Sequence, residues 1–90
     1  MSLQPAYSHD ANAVLLKLEE GSDRRLYEAV LDVIDLICDH PDSAAARRRQ
    51  LRDVHGGVVW SVAVRGEDGW VVLWWPDDGD AYIAFIGSTL

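Results

Sequence analysis

The residues of this sequence that could most readily do chemistry are the arginines of a short basic segment. Arg47, Arg48 and Arg49 are consecutive, Arg52 follows closely, and Arg65 lies further along. Guanidinium groups bind phosphates and carboxylates through paired hydrogen bonds, so these residues could contact nucleic acid or an acidic protein segment. The formal net charge is −7, however, whereas proteins that grip phosphates are usually basic. We expect a solvated connector here, and nucleic-acid binding by this chain unaided is disfavoured.

The remaining polar side chains predict no catalytic residue, no metal and no cofactor. His9, His40 and His55 are scattered and match no zinc-binding pattern. The acidic segment at residues 77–80 is typical of a hairpin turn and lacks the further ligands of a calcium loop. Cys38 is the single cysteine, which excludes an intrachain disulfide, and we expect it to be packed and unreactive.

Length and composition predict one small globular domain over residues 1–90, with residues 1–5 as a loose tail. The hydrophobic fraction is 49%, and no apolar run approaches the roughly 18 residues of a membrane span. Because the N-terminus has no signal pattern and cysteine is rare, we expect a cytoplasmic protein without membrane contact. A domain this short is marginally stable alone, so a partner protein or a second copy would stabilise it.

Two helices are predicted in the first half of the chain. Ser8 is the expected N-cap of the first helix, which Gly21 ends. Ser22 is the expected N-cap of the second helix, which ends before Pro41. The apolar residues of the second helix recur at helical spacing: Leu26, Ala29, Val30, Val33, Ile34 and Ile37. Its acidic residues share the opposite side, which we expect to be a solvated face and which could also receive a basic partner: Glu28, Asp32, Asp35 and Asp39.

The second half of the chain changes to a period of two and predicts an antiparallel sheet. Residues 41–53 form a connector, in which residues 43–49 can add a turn or two of helix. Three strands follow, at residues 58–65, 70–75 and 81–86. Short turns rich in glycine and aspartate join them, so the strands form a meander, which a short N-terminal strand can extend. The fold class is therefore α+β, with two helices packed on one face of the sheet.

One face of this sheet has no predicted cover. Side chains alternate along a strand, and the strand at residues 70–75 is apolar on both sides. The helices can cover only one side, and an exposed apolar face on a small domain usually marks an interface. Alternation groups Val59, Ser61, Ala63, Val71, Leu73 and Trp75 on one side of the sheet, but it does not decide whether this side or the opposite one is uncovered.

Several local patterns resemble the RelE/ParE toxin superfamily of bacterial toxin–antitoxin systems. Tyr7-Ser8-His9-Asp10-Ala11 is similar to the entry of that family's first helix. His40-Pro41, followed by Gln50-Leu51-Arg52, is similar to the segment between its second helix and its sheet. Residues 60–65, 69–74 and 81–87 are similar to its core strands, so the resemblance spans about residues 6–87.

The resemblance implies the family's fold and partner binding but not its ribonuclease chemistry. Ribonucleases of the family carry basic side chains on the open sheet face, for which this sequence has Ser61, Ala63 and Val71. These residues can neither neutralise a phosphate nor transfer a proton to useful effect. The family's basic C-terminal segment has no counterpart in Gly87-Ser88-Thr89-Leu90. The same alignment implies which side of the sheet is open, and it makes that side the predicted site where an antitoxin or a second copy of the chain binds: Val59, Ser61, Ala63, Val71, Leu73 and Trp75.

We therefore expect a toxin–antitoxin protein that acts by binding, and not an enzyme. One alternative is an active toxin, either an mRNA endoribonuclease that uses Arg49, Arg52 and Arg65 or a gyrase inhibitor that needs no RNA-cleaving residues. Another alternative is a stand-alone homodimer that is joined through the open sheet face and has no toxin role.

Overall fold

The computed structural model describes residues 2–89, which form two helices and five strands. In chain order the elements are β1 (Gln4–Tyr7), α1 (His9–Glu20), α2 (Arg24–Asp39), β2 (Arg49–Arg52), β3 (Val58–Ala63), β4 (Trp70–Asp77) and β5 (Asp80–Ser88). The α+β class is confirmed, but the three-stranded meander is wrong. All five strands form one sheet in the order β1-β5-β4-β3-β2. It is a mixed sheet, because β1 runs parallel to β5 while every other neighbouring pair is antiparallel.

Capping side chains determine where both helices begin. The hydroxyl of Ser8 accepts a hydrogen bond from the Ala11 N–H at 3.0 Å, as the sequence predicts. Asp23 caps α2 in place of Ser22, and its carboxylate accepts from the Leu26 N–H at 3.1 Å. A carboxylate at this position both satisfies a free amide and complements the positive end of the helix dipole.

The N-terminal segment is joined to the far end of the chain through Ser8. Its N–H donates to the Ile83 carbonyl at 2.9 Å, and its hydroxyl donates to the Ala84 carbonyl at 2.8 Å. The pairing of β4 with β5 shifts register at Ala84, which is the extra residue of a β-bulge. Within the expected loose tail, the Leu3 N–H donates to the Cys38 carbonyl at 2.7 Å, so the chain is bonded to α2 before β1 begins.

The hydrophobic core lies between the two helices and one face of the sheet. Its largest fully buried side chains come from α2, β4 and β5: Val30, Ile37, Val72, Trp74, Ile83 and Ile86. Complete burial of each such side chain stabilises the fold by about 1.5–3 kcal/mol. The acidic side of α2 is exposed, as predicted. Neither α1 nor α2, the helices of the described part of the chain, has the length and apolar composition needed to cross a membrane.

The segment between α2 and β3 differs most from its prediction. Residues 41–48 contain two hydrogen-bonded turns but no helix. The Ser43 N–H donates to the His40 carbonyl and the Arg47 N–H donates to the Ser43 carbonyl, both at 3.1 Å. The indole N–H of Trp74 donates to the Ala46 carbonyl at 2.8 Å inside the protein. This bond fixes the segment against the core and brings β2 to the outer edge of β3.

A two-residue turn joins β4 to β5. Asp78 and Gly79 have φ angles of 49° and 87°. Both lie in the left-handed region that a tight hairpin turn of this kind requires, and Asp-Gly is a preferred sequence for it. β4 therefore extends through Asp77, and the turn expected over residues 76–80 is shorter than predicted.

Candidate partner-binding surface

The sheet face opposite the helices is apolar. Val72 and Trp74 are buried beneath the helices, so their neighbours in β4 point to the other side of the sheet. Those neighbours, Val71, Leu73 and Trp75, are half-buried and lie outside the helix-covered core. We define the open face by its accessible side chains: Ala63, Val71, Leu73, Trp75, Tyr82 and Phe85.

Aromatic rings from two strands form the centre of the open face. The rings of Trp75 and Tyr82 lie opposite each other, with centroids 4.9 Å apart. Phe85 lies opposite Leu73 and is 37% exposed. The Phe85 ring lies over Gly87, where a Cβ atom would come within 2.7 Å of it. Glycine at this position therefore leaves room for the outer end of the ring.

Two of the predicted partner-binding residues are not accessible. Val59 is 7% exposed and Ser61 is 9% exposed. Both lie on the open side of β3, but β2 runs beside them, with Leu51 opposite Val59 and Arg49 opposite Ser61. The sequence did not predict β2, so it did not predict that Val59 and Ser61 would be buried beside that strand. The accessible surface is consequently centred on β4 and β5, with Ala63 at its margin.

Tyr82 and Phe85 were missed as members of this surface. A strict period of two along β5 would place Phe85 with the core and Ile86 on the open side. The bulge at Ala84 reverses this order, so that Phe85 is exposed and Ile86 is buried. The signal that could have identified Tyr82 was its position opposite Trp75 across a short hairpin.

Two of the candidate arginines have structural partners. The Arg47 guanidinium lies 5.3 Å from the centroid of the Trp60 ring, and its Nε donates to the Pro41 carbonyl at 2.7 Å. A guanidinium over an aromatic ring is attracted by the negative face of the ring. Arg52 donates to the Gly56 carbonyl at 3.0 Å and so bridges the turn between β2 and β3.

The other three arginines do not form one cluster. Arg49 lies opposite Ser61, at the β2 edge of the open face. Arg48 and Arg65 line a groove between α2 and β3, which borders the open face at Ala63. Within residues 2–89, none of these three guanidinium groups makes a hydrogen bond or an ion pair. The five candidate arginines therefore do not form a single basic site.

Asp53 stabilises the turn that joins β2 and β3. One of its carboxylate oxygens accepts hydrogen bonds from the N–H groups of His55 and Gly57, both at 2.8 Å. These bonds, the one from Gly57 foremost, lower the pKa of Asp53 below its ordinary value. Val54 at this turn is 94% exposed and is not one of the residues of the open face.

The remaining candidate groups give no reactive centre among residues 2–89. No three histidine, cysteine, aspartate or glutamate side chains there are close enough to hold a metal ion. Cys38 is 8% exposed. Burial, followed by the charges of Asp39 and Asp35, raises the pKa of its thiol, which disfavours the nucleophilic thiolate.

No protein-family model, curated protein or solved structure matches this chain. The likeness to the RelE/ParE superfamily therefore stays a prediction from local sequence patterns. The open face is the feature of the described residues from which a function can be argued.

Proposed function

We propose that this chain is a RelE/ParE-like protein of a toxin–antitoxin system that acts by binding a partner protein, without ribonuclease chemistry. The observation that carries the proposal is the open face, an apolar surface on β4 and β5 that both helices leave bare. The partner that we propose is an antitoxin-type protein whose apolar side chains cover this face.

The composition of the open face favours a protein ligand. Trp75, Tyr82 and Phe85 present large rings that lose little conformational entropy on binding, and such residues are common energetic centres of interfaces. Each Å² of apolar surface that a partner covers contributes about 25 cal/mol. A domain of 90 residues has a small core, so this contribution also matters for the stability of the fold.

The same surface is poorly suited to cleaving RNA. Cleavage needs proton transfer to and from oxygen atoms and stabilisation of charge on the phosphate. Ser61, Ala63 and Val71 occupy the positions where the resemblance would put cations, and Ser61 is buried as well. Arg49 borders the face, but Arg52 is bound to the β2–β3 turn at the other end of the same strand. This separation favours binding over hydrolysis.

The test is co-purification of the tagged full chain from its native host. Wild type should retain one protein in stoichiometric amount, and Trp75→Glu should lose it. A carboxylate that is buried unpaired against an apolar partner costs several kcal/mol, which weakens binding by about 100-fold or more. Val54→Glu is the matched control, since it adds the same charge at an exposed residue outside the open face. It should retain the partner, and circular dichroism should show that both variants are folded.

Three outcomes would contradict the proposal. Cleavage of mRNA on ribosomes by the purified chain would identify an active toxin. A concentration-dependent dimer of the isolated chain, abolished by Trp75→Glu, would identify a homodimer without a toxin role. Equal retention of the partner by wild type and a folded Trp75→Glu would show that binding occurs elsewhere. If Trp75→Glu does not fold, Phe85→Ser tests the same face at a more accessible position.

A further inference from the structure

A groove with a volume of about 670 Å³ lies between α2 and β3. Val33 and Leu36 of α2 and Val62 of β3 give it an apolar lining. Asp32 lies on the helix side, and Arg48 and Arg65 are contributed by the residues just before β2 and just after β3. The groove and the open face share one residue, Ala63, and otherwise have different lining residues.

One margin of this groove is a strand edge with unpaired backbone groups. Along an antiparallel strand, residues whose N–H and C=O bond to one neighbouring strand alternate with residues whose N–H and C=O point to the other side. The Val64 N–H donates to the Trp70 carbonyl at 2.9 Å, so the backbone groups of Val64, and by alternation those of Val62, point toward β4. The N–H and C=O of Ala63, which lies between them, therefore point away from β4, toward the outer side of β3. β2 begins at Arg49, opposite Ser61, and therefore stops before it reaches Ala63. Ala63 is exposed, and within residues 2–89 no backbone group bonds to its outer side.

The charges beside this edge are predominantly positive. Arg48 and Arg65 are both exposed and, in the described part of the chain, make no hydrogen bond or ion pair. Arg48 immediately precedes β2 and Arg65 follows the end of β3, and both line the groove together with Ala63, whereas Asp32 is exposed on the opposite wall. A ligand that runs along β3 would therefore meet two guanidinium groups, each able to pair with a carboxylate.

We propose that this groove binds an extended acidic segment of a partner protein, which adds to the sheet along β3 in line with β2. The segment's backbone pairs with the N–H and C=O of Ala63, as in other cases of strand addition. Its carboxylates pair with Arg48 and Arg65. Its inward side chains are small and apolar and pack against Val33 and Leu36. The inference does not depend on the open face, and the two surfaces can be tested separately.

The test is an NMR titration of the isotope-labelled full chain with two short acetylated peptides. One peptide alternates glutamate with valine, and the other alternates lysine with valine. The first should shift and protect the Ala63 amide from exchange, and the second should not. Arg48→Glu and Arg65→Glu should each weaken binding of the first peptide by about tenfold or more, because an ion pair becomes a repulsion. Arg52→Glu, which makes the same change outside the groove, should bind as wild type does.

Further comparisons make the result decisive. A glutamate–valine peptide that is N-methylated on its sheet-pairing amides should not bind, because strand addition needs those groups. Trp75→Glu should bind the peptide unchanged, which separates this site from the open face. The inference is overturned if neither peptide moves the Ala63 amide, or if charge reversal at Arg48 and Arg65 leaves binding unchanged. It is also overturned if an oligouridine strand binds the same residues more tightly than the acidic peptide.

Discussion

Trp74 and Trp75 are adjacent in sequence but serve different parts of the molecule. Trp74 is completely buried and donates its indole N–H to Ala46, whereas Trp75 stacks on Tyr82 at the open face. Alternation along β4 predicts that the two side chains point in opposite directions. It does not predict which one is buried, because both sides of the strand are apolar. That choice came from the resemblance of the sequence to a known family, and the structure agrees with it.

Trp74→Phe should destabilise the protein by about 1–3 kcal/mol for the hydrogen bond alone, because the buried Ala46 carbonyl would lose its donor. The smaller ring also leaves a gap, which adds to the loss. Urea unfolding followed by circular dichroism measures the difference. Trp75→Phe is the matched control and should change the free energy of unfolding by less than about 1 kcal/mol. Equal losses in the two variants would contradict the assignment of Trp74 to the core.

The helices could be predicted from sequence, but two features of the sheet could not. Apolar residues at helical spacing locate α2, and Ser8 and Gly21 mark the ends of α1. β2 is polar and only four residues long, so its strand structure depends on pairing with β3, which local sequence does not reveal. The bulge at Ala84 lies where Ser8, which is distant in sequence, bonds to β5, and local sequence does not reveal such contacts either. These two features explain why Val59 and Ser61 were overestimated as surface residues and Phe85 was missed.

The β2–β3 turn should depend on pH through Asp53. The pKa of Asp53 is lowered in the folded state, so the ionised carboxylate stabilises the fold. This stabilisation is fully present above the ordinary pKa of 3.8 and is lost as the pH falls through the lower folded-state pKa. Protonation weakens the carboxylate as an acceptor for the His55 and Gly57 amides. NMR shifts of these two amides between about pH 5 and pH 1 should follow one titration. Asp53→Asn should remove the titration, and an identical profile in that variant would contradict the assignment.

The whole molecule presents two surfaces of different chemistry, one on each side of β3. The open face is apolar and nearly uncharged, whereas the groove beside α2 combines an unpaired strand edge with two arginines. From the net charge of −7 we expect unaided binding to RNA to be unfavourable at either surface. Sequence patterns predicted an uncovered apolar face, but the groove became apparent only when the end of β2 was located in space.

The most direct test of the proposed protein-binding face is photo-crosslinking in the native host with benzoylphenylalanine in place of Phe85. This position is exposed on the open face, and a ring is already present there. Leu16, which is 49% exposed on α1, is the control position. We expect position 85 to crosslink to one protein and position 16 to give no such product. Crosslinks from position 85 to ribosomal RNA, or the same products from both positions, would contradict a protein-binding role for the open face.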